Sequence, residues 1–248
     1  METFINLTLD NLQKEHLCCA IGDKKHQQGV DIKKEWLKKQ IPEAHIFRKL
    51  NTKGKVFIEY APLEKAWVPV LGDNYLYIYC LWVSGSYKDK GYGKQLLNYC
   101  ISDVKKQKKS GICVISSKKK KPFMSDKAFF QKNKFVIVDN IEDYELMALS
   151  FDGKIPKFTN KAKKQEIKSK NLTIYYGMQC PFIPNCIEQI QDYCSKNKIK
   201  LELEKIDTLK KAKEVPGIFN NWAVFYDGKY ETQHLLNETY LKKMLEKK

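Results

Sequence analysis

Between Leu81 and Cys100 the chain reads LWVSGSYKDKGYGKQLLNYC. An apolar run ends at Ser84-Gly85. A basic loop punctuated by glycine follows (Lys88, Asp89, Lys90, Gly91, Tyr92, Gly93, Lys94), and residues with helical spacing begin at once. Glycine lets the backbone come close to a ligand with no Cβ in the way. The first turn of a helix presents unpaired N–H groups and the positive end of the dipole. With Lys88, Lys90 and Lys94 around them, these groups form an anion site suited to a pyrophosphate. Three other phosphate motifs fail: there is no G-x-x-x-x-G-K-[ST], Leu96 stands at the third glycine of a G-x-G-x-x-G, and the kinase signature residues are missing. By itself the G-x-G also fits a tight strand–helix connection whose glycines serve packing alone.

The elements that must position this loop are legible on either side of it. Tyr75 to Val83 (YLYIYCLWV) is aromatic and β-branched on both faces, which predicts a central strand covered on both sides. Gly91 to Gln107 predicts a helix, with Leu96, Leu97, Cys100, Ile101 and Val104 on one face. Upstream, Asn11–Ala20 and Lys33–Gln40 predict short helices, and Lys55–Tyr60 and Ala66–Leu71 predict strands. Downstream come a strand at Ile112–Ser116, a helix at Ser125–Asn133, and strands at Phe135–Val138 and Glu145–Phe151.

In this setting Lys88-Asp89-Lys90-Gly91-Tyr92-Gly93 resembles the (Gln/Arg)-x-x-Gly-x-(Gly/Ala) motif of GNAT-type N-acetyltransferases, with lysine first. The segment from Lys127 to Phe135 (KAFFQKNKF) is similar to that family's A-x-x-F-Y-x-x-x-G-F helix and following strand. The resemblance covers residues 1 to 151 and implies an acyl-CoA N-acyltransferase fold of the α/β (α+β) class, a mixed sheet with flanking helices. It further implies an enzyme that uses acetyl-CoA as co-substrate and in which an amine attacks the thioester directly. Backbone N–H groups from Lys88 to Lys94 would hold the pyrophosphate, and one from Leu81, Trp82 or Val83 the developing oxyanion. Ser125 occupies the place of an asparagine that contacts the pantetheine arm. Phe130 stands where many members carry a tyrosine that protonates the departing thiolate, and Lys134 where they carry glycine.

An amine is mostly protonated at neutral pH, so a base must take a proton from it. Glu59, Asp73 and His16 are the candidates, and Tyr144 is a candidate substitute acid. As ordinary residues, Glu59 would be an outward charge on its strand, His16 a surface histidine beside core thiols, and Tyr144 a packing residue. The acceptor is left open between small molecule, peptide and protein N-terminus.

A break follows. Residues 152–170 (FDGKIPKFTNKAKKQEIKSK from Phe151) are polar and charged, which predicts a linker before a second domain at 171–248. There the predicted order is β-α-β-α-β-β-α, with Asp227-Gly228 as a tight hairpin turn. This order, and the run from Tyr175 to Phe182 (YYGMQCPF), resemble a thioredoxin-like fold and its active-site turn, and Val215-Pro216 stands where that fold places a cis-proline. With the first half, it looks like the YoaP-like domain found fused to GNAT proteins, here expected to select the substrate. Cys180, at a helix start, is the thiol candidate. The usual partner position holds Ile183, and Cys186 is six residues on, which favours a binding module over a dithiol oxidoreductase. A thiol-active protein using Cys180 and a non-catalytic acyl-CoA binder are the rival readings.

Composition bounds the rest. The 248 residues are 43% hydrophobic and carry a net charge of +16, nearly all lysine, since Arg48 is the only arginine. Lysine suits forked base recognition poorly, so the charge, including the eight lysines from Lys105 to Lys121, reads as a solvated surface and not as a nucleic-acid footprint. No paired C-x-x-C has zinc spacing, so no metal is expected. Met1-Glu2-Thr3-Phe4 opens no signal sequence, and no apolar run is long enough to span a bilayer; a cytoplasmic, reducing location is expected.

Overall fold

The structure, a computed structural model, describes residues 3–20 and 23–246; Met1, Glu2, Ile21, Gly22, Lys247 and Lys248 lie outside the described residues. The chain divides into two compact units. The first comprises residues 3–20, Lys34–Ala66 and Val70–Thr159; the second comprises Asp23–Lys33, Trp67–Pro69 and the chain from Asn160 onward.

The first unit is built on a seven-stranded sheet. Its strands are β1 (Phe4–Asn6), β2 (Ile46–Leu50), β3 (Val56–Pro62), β5 (Tyr75–Val83), β6 (Gly111–Ser117), β7 (Val136–Ile141) and β8 (Tyr144–Ser150), in the order β1-β2-β3-β5-β6-β8-β7. All neighbours are antiparallel except β5 and β6, which are joined by helix α2 (Tyr92–Lys106). Strand β5 matches its expected bounds and lies in the middle, as its two apolar faces require. The predicted stripe of α2 forms one core with Val56, Ile58, Leu76, Ile78 and Val114. The short helix α3 (Lys127–Lys132) adds Phe130 to this core.

Four expectations differ. Asn11–Ala20 is not a helix; it is a set of turns followed by a single 3-10 turn at Cys18–Ala20. Thr8 N–H donates to Asn11 Oδ1 and Asn11 N–H to Thr8 Oγ1, and such local bonds compete with helix formation. Of Ala66–Leu71 only Val70–Leu71 (β4) is a strand, because Pro69 cannot donate to a ladder. Strand β4 pairs with β9 (Lys157–Phe158), which lies inside the segment expected as a linker. Phe158 there is fully buried, and in the second unit Gln165 and Ile167 bond the turn at Gly228–Tyr230. Single buried residues in a lysine-rich run leave no periodic signal, which is why the stretch reads as a tether. Helix α1 (Gln27–Gln40) starts six residues before its expected start, since its first turns show polar residues and Gly29 where an apolar stripe would mark them.

The second unit holds β10 (Leu172–Tyr176), α4 (Ile183–Lys196), β11 (Leu201–Lys205), α5 (Leu209–Lys213), β12 (Trp222–Tyr226), β13 (Lys229–Thr232) and α6 (Glu238–Glu246). Its sheet order is β11-β10-β12-β13, with β10 and β11 parallel and the other pairs antiparallel. Asp227 and Gly228 both have positive φ (50° and 79°), the backbone that joins two twisted strands through a two-residue turn. Every peptide bond among the described residues is trans, so Val215–Pro216 is not the expected cis-proline.

Candidate active site

The loop of the first unit is an open helix mouth. Gly91 is the N-cap of α2 with φ 78°, and no side chain caps the helix. A Cβ built on Gly91 meets nothing nearer than Gln95 Nε2 at 4.0 Å, so glycine is needed for the backbone conformation and not for space. Gly93 is the reverse: a Cβ there would lie 3.3 Å from Phe129 Cε2 and 3.7 Å from Leu81 Cδ2. Lys88 N–H donates to Gly85 O at 3.2 Å, which withdraws one of the amides expected to hold an anion. The remaining amides, from Asp89 (φ 62°) to Lys94, line an exposed turn flanked by the exposed side chains of Lys88, Lys90 and Lys94. This arrangement fits the diphosphate of a CoA ester.

Beside the mouth the sheet forks. Strands β5 and β6 pair only from Tyr75↔Gly111 to Tyr77↔Cys113, and β5 then runs on for six more residues beside β3 alone. Leu81, Trp82 and Val83 therefore line the open side of the fork, and Trp82 is 48% exposed. Between β3 and β5 the register slips at Glu59/Tyr60, so that Glu59 faces Cys80 while Tyr60 faces Ile78 and Tyr79 is bulged. Bulges re-aim side chains and recur next to active sites.

On the helix side of the fork, Ser125 is half-buried and its carbonyl accepts from Ser116 Oγ at 2.8 Å, which ties the loop before α3 to β6. Phe130, at the family's tyrosine position, is 1% exposed and packs edge-on against Phe129 and Phe135. Phe129 is the ring that packs against Gly93. Neither carries a hydroxyl. Lys134, in place of the family's glycine, has φ 69°, the left-handed backbone that favours glycine.

The base candidates separate clearly. Glu59 is not an outward charge: it is 0% exposed, and its Oε1 lies 3.0 Å from Nε2 of His45, itself 2% exposed. The His45 ring packs edge-on against Trp36 at 4.9 Å and tilted against Tyr79 at 5.3 Å. Sequence reasoning missed His45, which follows a proline-containing turn and shows no periodic signal. The available clue was only that a glutamate in an otherwise apolar strand needs a buried partner. Asp73 is exposed, pairs with Lys154 Nζ at 3.1 Å, and precedes β5 at the end away from the loop. His16 lies 3.4 Å from Lys49 Nζ, and burial and then the Lys49 charge hold its imidazole below its ordinary value. Tyr144 is buried on β8, where it pairs with Ser117 of β6; β6 and β5 separate it from β3, and its ring carries Lys121 Nζ at 4.5 Å. The structure thus brings together Glu59, Cys80 and Leu81–Val83, and leaves Asp73, His16 and Tyr144 elsewhere.

In the second unit Cys180 is half-buried just before α4, whose N-cap is Phe182. Cys186 is buried and donates its thiol to Leu236 O at 2.7 Å. Burial, and secondarily the neighbouring Cys180, pushes the Cys186 thiol up to about 12. It stays protonated at neutral pH and is a poor partner for thiol exchange.

Among the described residues, no cluster of three His, Cys, Asp or Glu side chains could hold a metal, and no helix is long and apolar enough to cross a membrane. A family profile described as "Acetyltransferase (GNAT) family" matches residues 9–135, and one described as "YoaP-like" matches residues 201–243. Over 245 residues the chain is 38% identical to a Bacillus subtilis (strain 168) protein named "Uncharacterized N-acetyltransferase YoaP", covering 98% of each. Two solved structures are similar. One is a GNAT family acetyltransferase from Brucella melitensis in complex with acetyl-CoA (10% identity, TM-score 0.42, 64% of this chain and 93% of that one). The other is the PaiA N-acetyltransferase from Thermoplasma acidophilum in complex with coenzyme A (16% identity, TM-score 0.44, 61% and 99%).

Proposed function

Because the chain belongs to the GNAT acetyltransferase family, we propose that it transfers the acetyl group of acetyl-CoA to an amine by direct attack on the thioester carbon. The observation that carries this reading is the uncapped, glycine-relieved mouth of α2 standing beside a parallel strand pair that parts after Tyr77. Amides from Asp89 to Lys94 and the lysines around them bind the diphosphate. The pantetheine arm lies between β5 and β6, with Ser125 beside it. A backbone N–H from Leu81 to Val83 faces the oxygen on which negative charge grows. The buried pair of Glu59, on β3 opposite Cys80, and His45 stands at the basic end of the proton path. Neither Phe129 nor Phe130 can protonate the leaving sulfur, and a thiol of ordinary acidity leaves as the thiolate without one.

The second unit is proposed to be a thioredoxin-like module that helps select the acceptor. Its strand order and pairing directions support this, and the protonated Cys186 disfavours a dithiol couple. Buried thiols at Cys100, Cys186 and Cys194 support a reducing, cytoplasmic setting.

Thermal unfolding with acetyl-CoA, CoA and NADH tests the central claim. Both CoA species should raise the melting temperature, since a ligand at a hundredfold excess over its Kd adds about 2.7 kcal/mol of stability, and NADH should not. No shift with either CoA species would remove the enzyme reading.

A further inference from the structure

Resting on that reading, we propose that His45 is a catalytic residue: its Nδ1 takes the proton of the attacking amine, and Glu59 is the positioning residue that fixes its tautomer. The His45 Nε2 to Glu59 Oε1 distance is 3.0 Å, with both side chains almost wholly out of solvent. An ionised carboxylate only accepts, so Nε2 carries the hydrogen and Nδ1 is left with a lone pair. Nδ1 is buried and has no hydrogen-bond partner. Buried polar groups are usually satisfied, so this lone pair is open to a proton from a group that enters beside it.

Several elements hold the ring in place. The chain leaves the 3-10 turn Ile41–Glu43 through Ala44 at φ 64°, and His45 N–H donates to Gln40 O at 3.1 Å. Trp36 and Tyr79 then clamp the ring from α1 and β5. Tyr79 is the bulged residue, two positions past the last β5–β6 pair, so the ring lies at the level where the fork opens. Beyond Tyr79 on β5, Cys80 is half-buried and Trp82 exposed, so the strand meets solvent within three residues of that level.

The step balances within the site. The N–C bond forms as the C–S bond breaks, and the electron pair of that bond leaves on the CoA sulfur. The proton of the amine moves to Nδ1, giving an imidazolium paired with the Glu59 carboxylate. Water then takes that proton and restores the neutral ring. The ionisable groups in contact with His45 are Glu59 from β3 and Tyr79 from β5; Tyr77 packs on Tyr79, Cys80 stands opposite Glu59 in the ladder, and Trp36 of α1 is neutral. Lys49, the next charge on the same side of β2, is engaged by Glu15 at 2.6 Å.

The test measures thiol release from acetyl-CoA against pH, with spermidine and glycinamide as amine probes and water as the baseline acceptor. His45→Gln should keep the acetyl-CoA thermal shift, lose about a hundredfold in turnover, and lose the acid limb of the pH profile. Glu59→Gln should lose about tenfold and move that limb to lower pH, because the imidazolium loses its counter-charge. Nitrogen-15 NMR of the wild-type protein should show neutral His45 protonated at Nε2. A His45→Gln turnover within threefold of wild type, or a neutral ring protonated at Nδ1, overturns the proposal. Absence of any acetyl-CoA shift in the wild-type protein would instead sink the acetyltransferase reading itself.

Discussion

At the end of β5 the chain turns through Lys88–Gly91 into α2, and at the end of β10 it turns through Gly177–Phe182 into α4. Each turn leaves the first amides of a helix without an intrahelical partner. The first is relieved by Gly91 in the left-handed region and ringed by exposed lysines. The second has Pro181 before the helix, Pro184 in its first turn, and Phe182 as N-cap in the helical region. It is also filled: the His26 ring packs on Phe182 at 4.6 Å, and a Cβ on Gly29 would lie 1.9 Å from the Pro181 carbonyl oxygen. The same supersecondary unit makes an anion site in one place and a packed joint in the other. What separates them is whether side chains fill the mouth.

Experiments can press on this contrast. If the α4 turn is a joint and not a dithiol centre, Cys186 should resist alkylation at pH 8 about a thousandfold more than an ordinary exposed thiol, since its pKa is held near 12. Peptide mapping after timed iodoacetamide treatment reads this, and rapid labelling of Cys186 in the folded protein would argue for a reactive pair. Next in size is Gly29→Ala. The contact it creates is with backbone, so overpacking should cost about 2–3 kcal/mol, seen in denaturant unfolding of the second unit. Gly91→Ala meets open space, so its penalty is the left-handed backbone, about 1–2 kcal/mol, read as roughly tenfold weaker acetyl-CoA binding by calorimetry. Equal effects of the two glycine variants on ligand binding would erase the distinction.

The smallest effect is on pH. Burial lowers the imidazole of His16 in the first unit and of His234 in the second below the ordinary value of 6.5. A histidine that resists protonation in the fold contributes stability that is full above pH 6.5 and is lost as pH falls below it. Melting temperature should therefore drop slightly between about pH 7.5 and 5.5, and His16→Gln with His234→Gln should flatten the slope. Both side chains are partly solvated, so the change should be modest.

Much of the site was legible because it is local. Strand β5, the loop and α2 are consecutive, and hydrophobic period, glycine and lysine all point to one arrangement there. Strand β10, α5 and the Asp227-Gly228 hairpin were equally readable, each from a few adjacent residues. The early turns around Asn11 were not, because side-chain bonds to the backbone replaced the helix that the apolar spacing suggested. Glu59 is the one charge in its strand, and nothing adjacent in the chain marks it as buried.

The amino-acid order alone settled where the Gly91 helix mouth and the Asp227-Gly228 turn fall, since those outcomes depend on neighbours a few bonds away. Only the folded chain decided what stands beside them. It set the strand register that puts Glu59 across from Cys80 and the turn that swings His45 onto its carboxylate. It also packed Gly29 against Pro181. Such pairings depend on ladder slips and on segments distant in the chain, and no local preference encodes them.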